Sequence, residues 1–162
     1  MNFVFIGLGG NQGEMISNLE NAKYHLKKVV GRIIKTSPLY ESEPWGFESD
    51  TNFINCVVKI ETILSAEQVL HSALEIEAEL GRLRKGKGYA SRPMDIDIID
   101  FNGSVLDDYP ILVLPHPRMH LRKFVLLPLQ DIEPKWLHPK SKKTINELLI
   151  ESGDDTQIKK VK

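Results

Sequence analysis

Cysteine occurs once in the 162 residues, as Cys56 in the apolar run Phe53-Ile54-Asn55-Cys56-Val57-Val58, so no disulfide framework is possible and a small buried thiol is expected. No apolar stretch reaches the length that spans a bilayer, and the opening Met1-Asn2-Phe3-Val4-Phe5-Ile6 has neither a basic n-region nor a small-residue cleavage site. A cytoplasmic protein is the expectation. An excess of either charge is also missing: 21 Lys and Arg stand against 22 Asp and Glu. That balance argues against nucleic acid or an anionic membrane as a partner drawn by a global field, and any electrostatic function has to be local. There is no internal repeat, no low-complexity tract and no GxxxxGK[ST] sequence, which sets aside solenoids and P-loop nucleotide enzymes.

What is present reads as one domain over residues 1–162, large enough to bury a core unaided, with a tail at 153–162 that looks loosely tied. Residues 3–8 form a β-like run that Gly9-Gly10-Asn11-Gln12-Gly13 must break. Ile16, Leu19, Ala22, Leu26 and Val29 then recur at helical spacing up to Gly31. Residues 32–40 and 53–61 read as the next two strands, around a loop at 43–52 that contains Pro44 and Gly46. A second amphipathic run (Val69, Ala73, Ile76, Leu80) has Ser65 as its N-cap, with Gln68 three residues on, and Gly81 as its stop. Residues 94–101 form a further strand. Beyond it come β-like pieces near Val105 and at 111–114, an apolar run at 124–129, and a helix near 144–150. The order strand, helix, strand, strand, helix, strand is that of an α+β, ferredoxin-like βαββαβ sandwich. It has an antiparallel sheet, two helices on one face and C-terminal additions, and its other face is free to bind a ligand.

Chemistry concentrates where the second helix ends. Residues 82–92 hold five cations (Arg82, Arg84, Lys85, Lys87, Arg92), two glycines and no acid, and they feed directly into Met94-Asp95-Ile96-Asp97-Ile98. Side chains at i and i+2 of a strand share a face, so Asp95 and Asp97 present paired carboxylates while Ile96 and Ile98 face the helices. An isolated Asp-x-Asp is more often a solvated strand edge. With a cationic loop beside it, the pair describes a polyphosphate site: magnesium takes one or two carboxylates plus phosphate oxygens, and phosphoryl transfer is catalysed by positioning and charge neutralisation.

The stretch Gly81-Arg82-Leu83-Arg84 through Arg92-Pro93-Met94-Asp95-Ile96-Asp97-Ile98 resembles the signature of the hydroxymethyldihydropterin pyrophosphokinases. So do Gly7-Leu8-Gly9-Gly10-Asn11, Phe53-Ile54-Asn55, and Pro115-His116-Pro117-Arg118-Met119 through Arg122-Lys123-Phe124. The four motifs stand in the family's order. The resemblance implies a folate-pathway enzyme that transfers diphosphate from ATP to 6-hydroxymethyl-7,8-dihydropterin, releases AMP, and works with two magnesium ions as a monomer with small-molecule partners only. It implies that Asp95 and Asp97 hold the metals and that Arg82, Arg92 and Asp97 are catalytic. Glu77, Arg82, Arg84, Tyr89, Arg92, Ile98, His116 and Arg122 would bind ATP, and Ser42, Glu43, Trp45, Phe53, Asn55, Asp95 and Phe124 the pterin. Phe53 and Phe124 would sandwich that ring while the Asn55 amide reads its edge. Read without the family, Phe53 and Phe124 fit ordinary core equally well, His116 fits a structural loop histidine, and Glu77 fits a snorkelling surface acid. The chain departs from the family pattern at Leu74, Tyr89 and Ala90-Ser91.

A single-stranded RNA module on the same fold is the rival from another class. The absence of an RNP1 pattern, the pI near 6.5 and the paired acids on the sheet oppose it. A pterin-binding relative without activity is the third possibility, and an assay separates it.

Overall fold

Strand β1 (Asn2–Gly10) runs through the middle of the sheet in this computed structural model, whose described residues are 1–43, 51–81 and 94–161. It is followed by α1 (Met15–Val29), β2 (Arg32–Thr36), β3 (Tyr40–Ser42), β4 (Phe53–Thr62), α2 (Ala66–Gly81) and β5 (Asp95–Phe101). A two-stranded hairpin, β6 (Leu106–Asp108) and β7 (Leu112–Leu114), comes next. A short 3-10 turn (Met119–Leu121), α3 (Lys123–Ile132), α4 (Ile145–Ser152) and β8 (Ile158–Lys160) complete the described chain. The main sheet has the order β5-β1-β4-β3-β8, with β2 also on β4, and these pairings are antiparallel. The order β5, β1, β4 and β2/β3 is that of the expected ferredoxin-like sandwich. No helix among the described residues is long and apolar enough to cross a membrane.

Local signals act where the sequence puts them. Gln68 N–H donates to Ser65 Oγ at 3.2 Å and Ser65 N–H to Gln68 Oε1 at 2.8 Å, a reciprocal capping box that starts α2. Leu19, Ala22 and Leu26 of α1 and Val69, Ala73 and Ile76 of α2 close over Val4, Ile6, Leu8, Ile96 and Ile98. The Cys56 thiol is buried in that core, and burial pushes its pKa up to about 11.

Three expectations are corrected. The run at 32–40 is two strands, because Pro38 has no N–H for the ladder and Ser37 takes over the bridging. Its N–H donates to Val57 O and its Oγ accepts Val57 N–H, both at 2.9 Å. The second sheet face is not free over its whole length. The apolar run at 124–129 folds into α3, which with α4 covers Phe5, Val57 and Ile99 in a second core that includes Met119, Leu126, Leu129 and Trp136. Among the described residues, only the end of that face near Gly9 is left for a ligand. The tail is held as well, since β8 pairs with β3, Asp154 Oδ2 accepts Lys123 N–H at 2.9 Å, and Thr156 O accepts from Lys123 Nζ at 3.0 Å. These partners lie far away in sequence, and composition could not indicate them.

Candidate active site

Two glycines make the floor of the site. In register across the sheet, Tyr40 faces Asn55, Asn55 faces Gly9, and Gly9 faces Asp95; one row on, Val57 faces Gly7 and Gly7 faces Asp97. Directly opposed residues in antiparallel strands share a face, so Asn55, Asp95 and Asp97 converge on a central strip where Gly7 and Gly9 carry no side chain of their own and Ile99 lies over Gly7, its Cδ1 3.3 Å from where a Cβ would stand. The strip is narrow: a Cβ added at Gly9 would stand 2.0 Å from Asn55 Oδ1. The Asn55 carboxamide therefore lies across Gly9, with Nδ2 3.4 Å from the Ser42 hydroxyl. Phe53, opposite Ser42, is half-buried, as is Phe124 in the first turn of α3. Phe124 packs against the α3/α4 core, whereas Phe53 is in neither core cluster.

The acidic side is as the alternation predicts for Asp95 and Asp97, both half-buried, with Ile96 and Ile98 in the helix-side core. The Ile98 side chain, expected at the nucleotide, is thus on the face away from the carboxylates. Glu77 reaches from α2 around the sheet edge, where its Oε2 accepts Ile96 N–H at 2.6 Å. Burial first, and then the charges of Asp95 and Asp97, push its pKa up to about 8. It belongs to the carboxylate group and is no surface acid. Among the described residues no group of three His, Cys, Asp or Glu side chains forms a ready metal cage. Two hard carboxylates with room for phosphate oxygens are nevertheless the donor set that magnesium uses on nucleotides.

The cationic side comes from the segment leading into α3. His116 N–H donates to Ile99 O at 2.9 Å, which ties this segment to β5. Its Nδ1 accepts Arg118 N–H at 3.1 Å, so the ring proton sits on Nε2 and can be offered to an anion. Burial, Arg122 and Arg118 push the His116 pKa down to about 4, and the side chain is a neutral donor at pH 7. Arg122 lies over the Phe124 ring at 5.5 Å; burial lowers its pKa while Asp97 and Asp95 act the other way. One stretch thus supplies a cation near the carboxylates and an aromatic ring beside it.

The two states of His116 fix a pH dependence of stability. In the unfolded chain the imidazole takes its proton near pH 6.5, in the folded chain only near pH 4, so the unfolded state binds more protons in that window and stability falls as pH drops through it. The loss is of order 3 kcal/mol. Glu77, raised on folding, acts in the opposite sense. Urea midpoints of wild type and His116→Gln measured from pH 7 to pH 4 should converge as the pH falls if His116 is the cause, and parallel curves would count against it.

Trp45, Arg82, Arg84, Tyr89 and Arg92 lie outside the described residues. Glu43 is exposed and engaged by the tail: its Oε1 accepts Gln157 N–H at 3.2 Å. Sequence reasoning missed Tyr40, which stands in register with Asn55. Its hydroxyl donates to Asp131 of α3, and burial with that carboxylate raises its pKa. Alternation back from Ser42 was the signal that could have found it.

The family model for 7,8-dihydro-6-hydroxymethylpterin-pyrophosphokinase matches residues 5–134. The chain belongs to this family. Curated members named 2-amino-4-hydroxy-6-hydroxymethyldihydropteridine pyrophosphokinase are close to it in sequence. The one from Porphyromonas gingivalis is 44% identical over 143 residues, covering 87% of this chain and 97% of the relative. The one from Aquifex aeolicus is 37% identical, covering 92% and 91%. Solved structures with the same fold include an HPPK-DHPS in complex with substrates, at a TM-score of 0.71 and 16% identity, covering 91% of this chain. A Plasmodium falciparum HPPK-DHPS with SDX-DHP gives 0.71 at 19% identity over 93% of it. The pyrophosphokinase chain described here spans only 42% and 43% of those two longer chains.

Proposed function

We propose that this chain transfers diphosphate from ATP to the hydroxymethyl group of 6-hydroxymethyl-7,8-dihydropterin, releasing AMP, as a step of tetrahydrofolate biosynthesis. The observation that carries the proposal is the convergence at Gly7 and Gly9 of the Asn55 carboxamide from one side and the paired carboxylates Asp95 and Asp97 from the other. The pterin lies over the strip with Asn55 on its polar edge, and Phe53 and Phe124 contribute aromatic surface. Ser42, Glu43 and Trp45 complete its surroundings.

Asp95 and Asp97 would hold two magnesium ions, which would supply charge neutralisation for the triphosphate and a lowered pKa for the attacking hydroxyl. A bond forms between the hydroxymethyl oxygen and the β-phosphorus while the bond from that phosphorus to the α-bridging oxygen breaks, and AMP departs with the bridging oxygen. His116 Nε2–H and Arg122 bind phosphate oxygens, together with Arg82, Arg84 and Arg92; Glu77 and Tyr89 line the nucleotide. Every residue in this scheme belongs to one chain, which is why a monomer suffices. A cytoplasmic location is the reading that the use of ATP and the lone buried thiol support. Coverage of Phe5, Val57 and Ile99 by α3 and α4 removes most of the open sheet face that an RNA module would use, which disfavours the RNA-module reading.

Coupled detection of AMP from ATP and magnesium, with and without the hydroxymethyl pterin, tests the reaction; AMP release independent of the pterin would overturn it. For the pterin pocket, Asn55→Ala should weaken pterin binding by roughly 10- to 100-fold through lost edge hydrogen bonds and leave ATP affinity nearly unchanged. Calorimetry with each ligand checks this, and equal losses for both would remove Asn55 from the pterin.

A further inference from the structure

Asp100 is a buried carboxylate that the proposed chemistry does not use. It sits where β1 and β5 fall out of step: Phe5 pairs with Asp100 but Ile6 pairs with Ile98, so Ile99 is one residue too many. Ile99 and Asp100 consequently both serve the α3/α4 side. Ile99 enters that core, and Asp100 Oδ2 accepts Trp136 Nε1–H at 2.8 Å while Oδ1 accepts Gly103 N–H at 2.9 Å. Phe101 returns to the α1/α2 core. Were β5 paired without the extra residue, the one-step slip would turn Asp95 and Asp97 toward α1 and α2.

The bulge is also where the cationic segment attaches. Ile99 O takes His116 N–H, the first tie between the acidic strand and the segment carrying His116 and Arg122. A second tie is made by side chains. The Trp136 ring meets His138 edge to face at 5.9 Å, and His138 meets His120 in the same manner at 5.9 Å. His120 lies in the 3-10 turn between His116 and Arg122. His138 cannot turn freely, because its Nδ1 accepts the amides of Lys140 and Ser141 at 3.2 and 3.1 Å. Trp136 and His138 are buried, and both lie beyond residues 5–134 matched by the family model.

We infer that Asp100, Trp136, His138 and His120 form a strut that sets the position of His116 and Arg122 over Asp95 and Asp97. They are positioning residues for the diphosphate transfer and touch no substrate, and the inference rests on the function proposed above. A misplacement of about 1 Å in such a constellation costs roughly 10²-fold in rate, so a buried hydrogen bond outside the site is enough to matter.

The test cuts the strut at each end. Trp136→Phe keeps a ring against His138 but removes the N–H that Asp100 accepts; His120→Leu removes the last ring and leaves the Asp100 pair intact. Both are assayed below their melting temperatures for AMP release, for pterin Kd by calorimetry, and for the backbone amide shifts of residues 116 and 122. The strut requires kcat to fall roughly 10- to 100-fold in both variants while pterin Kd stays within about twofold, with both amides displaced. A merely structural role lowers the melting temperature and leaves kcat within about twofold, which would overturn the inference. If wild type itself released no AMP, the functional reading would fall, and the amide shifts would still decide the strut: unmoved amides in both variants sink it, and displacement in both sustains it.

Discussion

Asp95→Ala and Asp97→Ala are each expected to remove most turnover, on the order of 10³-fold, while the melting temperature stays close to that of wild type. The two effects separate because the carboxylates are half-buried and contribute no volume to either core. Across the sheet they oppose the glycines Gly9 and Gly7. The ladder between β1 and β5 depends on backbone groups that alanine retains. Turnover loss should be accompanied by loss of the magnesium requirement for nucleotide binding, since the donor set for the metal is gone. A double alanine variant that still turned over and still bound magnesium would remove the assignment.

Gly9→Ala should damage the other half of the site as severely. The new methyl would arrive 2.0 Å from Asn55 Oδ1 and 3.0 Å from its Cγ, while the nearest backbone atom, Ile54 O, is 3.5 Å away. The backbone can therefore stay, and the Asn55 side chain is what has to leave. Pterin affinity should fall by roughly 10²-fold or more, at least as far as in Asn55→Ala, because the displaced amide is lost and is pushed from over Gly9 into the space beside it. ATP binding measured without pterin should change little. Adding Asn55→Ala to Gly9→Ala should cost far less than the product of the two single effects, as both act on one contact. Additive losses, or an unchanged pterin Kd in Gly9→Ala, would show that Asn55 does not serve the pterin.

How much of this was legible in the sequence varies with the distance over which each feature is encoded. The Asp95/Asp97 pairing, the α2 capping box and the turn after β1 involve residues within three or four positions of one another, and alternation and cap chemistry read them directly. Glu77 was only half legible: its place on the border of an apolar helix face is local, but the edge amide it accepts and the carboxylates that raise its pKa come from another element. Tyr40 passed unnoticed because its partner Asp131 is 91 residues away. His116 gained its neutral state from burial and from Arg122 and Arg118, and composition carries no information on burial.

By itself the sequence determined the βαββαβ order and the face on which the two carboxylates stand relative to Ile96 and Ile98, because periodicity is a property of the local chain; Gly9, read there as the break of the first strand, lies inside β1, and its place opposite Asp95 is set by register. The tertiary structure alone decided that α3 and α4 would cover most of the second sheet face, that the tail would pair as β8, and that β5 would carry an extra residue at Ile99. Each of these is a choice among packings that the local pattern allows equally, and what selects one is the burial of apolar surface and the pairing of polar groups between segments far apart in the chain.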